Sequence, residues 1–389
     1  MLDSYQTLKG CGRNTIFTAT TANLDIITAT GSSETSKVGI LLTDFCVDGN
    51  AGEATNDCGI IWTYVDYSEI RNVSSLDNGE HSIYLYLCDW NTIFNCICSG
   101  AGSTAGICLN ISYNNTVNQN RCSGNYWGIW LNTANHNIVA NNVCGSNTDD
   151  GINLVGSEDN NVSANVCNSN TGNGMYVDGY RNIIEGNICN LNTEGGLRLQ
   201  DSNHNSLISN NICVKNNEHG LYLDNITDCI VIGNSCQGNS QDTTNTCDEI
   251  FVSVANDSLI CNNFCRSLGG AKVSRYGLNI SDADSNNNKV INNDLYDDGF
   301  GTAPYNDDGT DTIYLDPSDT ETAVGKAHTQ GTDTTLGALE EDLDFNLHQA
   351  TDLVVMTVAN EAALPAEGVA VGEVCFAASE GIFFICTAT

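Results

Sequence analysis

Residues 128–150 read GIWLNTANHNIVANNVCGSNTDD, and residues 151–173 read GINLVGSEDNNVSANVCNSNTGN. The two lines superimpose: a glycine, an apolar-x-apolar triplet, a polar turn, a second apolar position, then Asn-x-Cys. Residues 174–195 (GMYVDGYRNIIEGNICNLNTEG) and 196–219 (GLRLQDSNHNSLISNNICVKNNEH) repeat the frame, as do residues 106–127 (GICLNISYNNTVNQNRCSGNYW). The cysteines of this frame fall at 98, 122, 144, 167, 189, 213 and 236. A steady period of about 23 residues marks a structural repeat. Zinc sites bring Cys in close pairs instead.

Alternation such as Ile129, Leu131 and then Val139, Asn142, Cys144 gives short strands separated by Asn/Gly/Ser turns. Strands this short cannot bury a face alone, so successive rows must stack in parallel and share one core. The expected fold is all-β: a right-handed parallel β-helix with rungs about 4.8 Å apart. It is expected over residues 1–300, with the clear repeat from about residue 8. Residues 301–389 are expected to form a β-rich capping and oligomerisation region. All three prolines (Pro304, Pro317, Pro365) lie in that last part.

The residue two before each cysteine is Asn at 120, 142, 165, 187, 211, 234 and 263, and Cys96 breaks the rule. An inward Asn at a turn can bond neighbouring rungs as a ladder. The cysteine stack reads first as small hydrophobes in the core. Scattered disulfides also fit, because rung spacing lies inside the Cα window of roughly 4.4–6.8 Å. A metal site is the third reading.

Composition narrows the function. Forty-eight acidic residues against 13 basic ones give a net charge of -35. Nucleic-acid binding needs Lys and Arg on the contact face, and anionic membranes repel such a chain. No apolar stretch approaches the roughly 20 residues of a spanning helix. The start, MLDSYQTLKG, shows neither the basic nor the apolar region of a signal peptide.

These rows resemble the repeats of the pectate-lyase-like superfamily of parallel β-helices, which includes NosD-type proteins and many phage tailspikes. LKGCGRNTIF (8–17) and LLTDFCVDGN (41–50) resemble the opening and early rungs of such helices. The segment from Ala327 to Thr389 is similar to tail segments of phage structural proteins, where a β-rich piece closes a trimer. The resemblance implies the fold over residues 8–300, and a virion tail or extracellular surface as the location. Function stays open, because this fold hosts lyases, hydrolases, epimerases and adhesins. From the residues, ASEG (378–381) reads as a hairpin turn; with Glu380-Gly381 as a two-residue tip, Cys375 would face Cys386.

Between the two inward apolar residues of each row, one residue points out. Down the stack that column reads Ile61, Tyr84, Cys108, Trp130, Asn153, Tyr176, Arg198, Tyr222, Phe251, Asn279. Flat rings with polar handles suit sugar rings, so Tyr84, Trp130, Tyr176, Arg198, Tyr222 and Phe251 are the expected carbohydrate-binding residues. A trimer interface or incidental exposure would also account for the stripe. Two positions on, Asp178 and Asp224 are two rungs apart, near the separation of an inverting acid–base pair. Arg198 lies between them and could hold a sugar carboxylate. These three are the candidate catalytic residues, weighed against Asp as a plain turn residue. No cofactor or metal is expected, although the oxygen-rich run Asn306–Asp311 leaves Ca²⁺ open without matching a known loop spacing.

Three functions follow. The leading one is a tailspike, tail-fibre or adhesin that binds cell-surface glycan along the side of a homotrimer joined chiefly through residues 301–389. The alternative is a lyase or inverting hydrolase of polysaccharide on the same fold. The third is a filament subunit without ligand. Insertions at residues 237–248 and 266–276 could build a wall beside the Asp178–Asp224 face.

Overall fold

The computed structural model describes residues 1–19, 25–50, 57–200, 203–269, 271–295 and 299–315, and three strands at 355–358, 374–377 and 382–385. Every regular element among them is a β-strand. Each rung contributes one strand to each of three parallel stacks. Sheet 1 holds 12 strands, from Ile27–Thr30 to Ala303–Asp307; sheet 2 holds 13, from Thr7–Lys9 to Ile313–Leu315. Sheet 3 is a run of six strands and a run of four, joined by bridges through Val166. The chain is a right-handed parallel β-helix, as the repeat predicts.

Burial follows the period of two. The middle residue of each sheet 2 strand (Val139, Val162, Ile184, Ile208, Val231) is fully buried, and so are the paired apolar residues of sheet 1, such as Ile129 and Leu131. The cysteines stack in register in sheet 3: Cys98 on Cys122 on Cys144, then Cys189 on Cys213 on Cys236 on Cys265. All are free thiols in the core. Burial holds the Cys98 thiol well above its ordinary pKa.

The bend between sheets 2 and 3 is built by an asparagine ladder. Asn165 Nδ2 donates to the Val139 carbonyl at 2.8 Å and to Asn187 Oδ1 at 3.0 Å, while its Oδ1 accepts Asn142 N–H at 2.9 Å and Nδ2 at 3.0 Å. The same pattern repeats from Asn120 to Asn293. Cys96 fills the ladder position on its rung, and its N–H donates to Asn120 Oδ1 at 2.9 Å. The residue before each ladder Asn takes a left-handed backbone, as at Asn141 (φ 57°), Gly186 (φ 64°) and Gly233 (φ 68°), which is why Asn and Gly crowd this bend.

Two further ladders turn the other corners. Asn91, Asn115, Asn137, Asn160 and Asn182 stack between sheets 1 and 2. Asn125, Asn147, Asn170, Asn192, Asn216 and Asn239 stack between sheet 3 and the next rung. At this last corner most rungs carry a glycine, with Ser82 and Glu249 the exceptions: a Cβ on Gly128 would meet the Gly151 carbonyl at 2.3 Å and the Cys144 Cβ at 2.9 Å. Glycine and cysteine are thus a packing pair, which explains why both recur with one period.

The helix continues beyond residue 300. Ala303–Asp307 pairs with Tyr276–Ile280 in sheet 1, and Ile313–Leu315 pairs with Lys289–Ile291 in sheet 2. Pro304 sits in the last strand of its sheet, where a missing N–H breaks no ladder. Residues 328–389 form a separate unit. In it Val355–Val358 pairs parallel with Val374–Ala377, which pairs antiparallel with Ile382–Ile385. The hairpin expected at ASEG exists, but Ala377 faces Ile382 and Cys375 faces Phe384. Its connection therefore spans 378–381 rather than a Glu380-Gly381 tip, and the expected Cys375–Cys386 pairing is not the register. Cys386 lies outside the described residues.

Two outcomes test this packing. Asn165→Ala leaves the Asn142 amides and the Val139 carbonyl without partners, and each buried orphan costs about 1–3 kcal/mol. A loss of at least about 3 kcal/mol is expected in urea unfolding, and a loss below 1 kcal/mol contradicts the ladder. In the native state a bulky maleimide should label exposed Cys11 and leave Cys122, Cys144, Cys167, Cys189 and Cys213 unmodified until unfolding.

Candidate functional site

The outward column of sheet 1 has the register the sequence predicts. Tyr84 pairs with Cys108, Cys108 with Trp130, Trp130 with Asn153, Asn153 with Tyr176, Tyr176 with Arg198, Arg198 with Tyr222, and Tyr222 with Phe251. Its aromatic members and Arg198 are half-buried, whereas Cys108 and Asn153 are covered by their neighbours.

A second column, absent from the period-two reading, lies beside the first. It is the residue just before the corner position: Trp127, Asp150, Asn173 and His219, each before a glycine, and His81 and Asp248, before Ser82 and Glu249. Strict alternation would send these side chains inward. The corner turns them out instead, over the first column. His81 stacks on Tyr84 with ring centroids 4.8 Å apart, and Trp127 packs against Trp130 at 4.8 Å. His219 stacks between Tyr222 (5.5 Å) and Phe251 (4.6 Å). Burial pushes both imidazoles down to about 4, so they are neutral at pH 7.

The face has three zones. Toward the N-terminus, Tyr84, Tyr86, Tyr126, Trp127 and Trp130 form an aromatic wall, with Asn110 Nδ2 donating to Tyr84 Oη at 2.8 Å. Toward the C-terminus, Tyr222 and Phe251 adjoin Asp248, which is fully buried. Asp248 accepts Arg275 at 2.7 Å and Asn279 at 2.9 Å, and its N–H donates to His219 Nδ1 at 3.0 Å. The expected wall insertions pack on each other here: Asn245 N–H donates to the Val273 carbonyl at 2.7 Å, and Thr302 donates to Asn245.

The middle zone holds two carboxyl groups on one amide. Asn173 Nδ2 donates to Asp150 Oδ1 at 3.1 Å and to Glu194 Oε2 at 2.8 Å. The two N–H bonds of an amide diverge by ~120°, which sets those oxygens about 5 Å apart. Asp150 is nearly buried and further fixed by the Asn173 N–H (2.7 Å) and Asn153 Nδ2 (2.7 Å). Burial raises the pKa of both acids, and the Asp150 charge adds to the rise at Glu194. Paired, desolvated acids on an open face are a common signature of chemistry. Arg198 on the same rung as Glu194 lies 4.8 Å over the Tyr222 ring. Four buried polar atoms of this face have no partner among the described residues: Trp127 Nε1, Trp130 Nε1, Asn153 Oδ1 and Arg198 Nε.

Asp178 and Asp224 end the strands Met175–Val177 and Leu221–Leu223, which flank Leu197–Leu199 with Arg198. They are two rungs apart, half-buried, and at the far end of these strands from Asp150 and Glu194. The run Asn306–Asp311 forms a local turn in which Asp307 accepts Gly309 N–H at 2.9 Å and Tyr305 Oη at 3.0 Å. No helix among the described residues is long and apolar enough to cross a membrane.

Similar solved structures carry the same solenoid. The A-module of Azotobacter vinelandii mannuronan C-5 epimerase AlgE6 aligns with a TM-score of 0.57 at 16% identity, over 81% of this chain and 85% of that one. The periplasmic alginate epimerase AlgG aligns at 0.54 and 13% identity, over 74% of this chain and 78% of its own. The tailspike of E. coli bacteriophage HK620, solved with a hexasaccharide, aligns at 0.54 and 12% identity, over 74% of this chain and 60% of its own. At such identities the likeness is one of fold. No curated protein matches in sequence.

The family of NosD, described as a periplasmic copper-binding protein, matches residues 47–211 and 98–245. The described residues bring together no set of three or more His, Cys, Asp or Glu side chains able to hold a metal ion, so they do not fit copper. With its repeat matched from residue 47 to 245, more than half its length, the chain belongs to the NosD family of parallel β-helix proteins.

Proposed function

We propose that this chain is a surface or virion-tail protein that binds cell-surface polysaccharide along sheet 1. The observation that carries the reading is the register of that face. Aromatic rings recur on every second rung from Tyr84 to Tyr222, with Phe251 on the next, and unpartnered donors and acceptors sit among them. A sugar chain repeats apolar ring faces and hydroxyls along its length, so a repeating wall suits it. Epimerases of mannuronan and alginate and a tailspike bound to a hexasaccharide share this solenoid, which supports the same substrate class; the resemblance of residues 327–389 to phage tail segments supports a homotrimeric tail fibre. Anionic glycans meet a chain of net charge -35, so Arg198 would be the contact for any sugar carboxylate.

A second reading is favoured by one observation, the Asp150–Asn173–Glu194 bridge. Glu194, with a second oxygen not engaged by Asn173 and a pKa raised by burial and then by the Asp150 charge, suits proton donation to a glycosidic oxygen. Asp178 and Asp224 are the competing acid–base pair around Arg198.

Trp130→Ala and Tyr176→Ala should each weaken binding of a glycan identified on an array by roughly thirtyfold, about 2 kcal/mol, with the melting temperature nearly unchanged. Retained affinity in both variants rejects this face. Incubation of that glycan with the protein tests cleavage through released reducing ends. If ends are released, Glu194→Gln should lower the rate by about a hundredfold or more, and the rate should fall as pH rises through the raised Glu194 pKa. Loss in Asp178→Asn or Asp224→Asn, with Glu194→Gln unaffected, assigns the chemistry to the other pair.

A further inference from the structure

The flank opposite in character to sheet 1 is sheet 2. Its strands place their first and third residues outward, and from Thr92 to Leu315 ten strands stack in register. Those outward positions carry one acid, Glu185, and one base, Lys289, in a chain with 48 acids and 13 bases. In their first column Ile138, Ile183, Ile230 and Ile313 are 46%, 38%, 43% and 48% exposed, set among Leu207 and Leu259 and the polar Thr92, Thr116, Asn161 and Lys289. Across the asparagine bend, the first residues of sheet 3 add Val143 (46%) and Ile212 (39%). A β-helix needs none of these side chains for its core, which is filled by the residues between them.

We infer that this flank is the contact between copies of the chain, a lateral association along sheet 2. Two observations select a second copy as occupant. The first is charge. Copies of net charge -35 repel one another, and this is the flank on which they can meet without stacking like charges. The second is size and form. Ten rungs at about 4.8 Å span about 43 Å, and with the adjoining column the strip is roughly 20 Å wide. Its area of about 800 Å² matches one partner's share of a stable interface. Ile138, Ile183 and Ile230 recur on every second rung, so a neighbouring copy presents isoleucines at the same spacing. The C-terminal end of the strip is polar: Lys289 shares a groove of about 470 Å³ with Asp257, Asp311 and Ile313. An apolar strip with a polar margin is the usual anatomy of an interface. This contact is separate from the glycan face, and association of copies requires it whatever residues 301–389 add.

Light scattering of the full chain at tens of micromolar should give a multiple of the chain mass. The double variant Ile183→Glu/Ile230→Glu should be a monomer there, with its association constant reduced at least a hundredfold. Its melting temperature and its glycan binding should match wild type, because its substitutions touch neither core nor sheet 1. Ile138→Lys/Ile313→Lys, nearer the ends of the strip, provides a second pair if the first fails to fold. A monomeric wild-type chain overturns the inference, and so does a folded variant of either pair that keeps the wild-type mass. Neither result bears on Trp130 and Tyr176, so the glycan reading stands or falls apart from it.

Discussion

Everything in this chain depends on satisfying buried backbone at three bends per rung. A rung of about 23 residues turns three corners, and at each corner amides point into a core that offers no water. An asparagine stacked on the asparagine of the next rung resolves this, since its one side chain both donates and accepts. The solution works only if every rung supplies the same residue at the same place, so the ladder imposes the period on the sequence. Where an insertion lengthens the rung after Asn239, a carboxylic acid closes the ladder. Glu249 accepts from Asn239 and Ser274, and burial pushes it up to about 7. The acid thus takes the place of the next amide.

That regularity made the fold legible. The Cys and Asn columns, the glycine before each triplet and the outward aromatic column all fall where a stack of 23-residue rows puts them. Three things were not legible, for physical reasons. The column holding His81, Asp150 and His219 sits where period-two alternation breaks, because the corner residue (Ser82, Gly151 or Gly220) turns the preceding residue out. Only a reading of the glycine as a bend, not a strand residue, would have found it. The rung beyond residue 300 was hidden by Pro304, which reads as a boundary but is tolerated in a last strand. The hairpin register differs from a two-residue tip, with Ala377 opposite Ile382 and Cys375 opposite Phe384, and a turn sequence alone does not fix which residues first pair.

The same scaffold separates its surfaces by chemistry. Sheet 1 gathers rings, paired acids and Arg198, so it is the flank with orientation-giving polar groups set in an apolar wall. Sheet 2 is nearly free of charge and gains nothing from its exposed isoleucines unless something covers them. A solenoid can vary one flank without disturbing another, because each outward column is independent of the core. This independence also explains how a family described by copper can include a chain whose described residues form no metal site.

The most direct test of the glycan face is a crystal structure of the intact chain with an oligosaccharide chosen by array binding. The account predicts sugar rings lying against Trp130, Tyr176 and Tyr222 along sheet 1, within hydrogen-bond reach of Arg198 and Glu194. Sugar bound instead on sheet 2 or on residues 328–389, with sheet 1 bare, would contradict it.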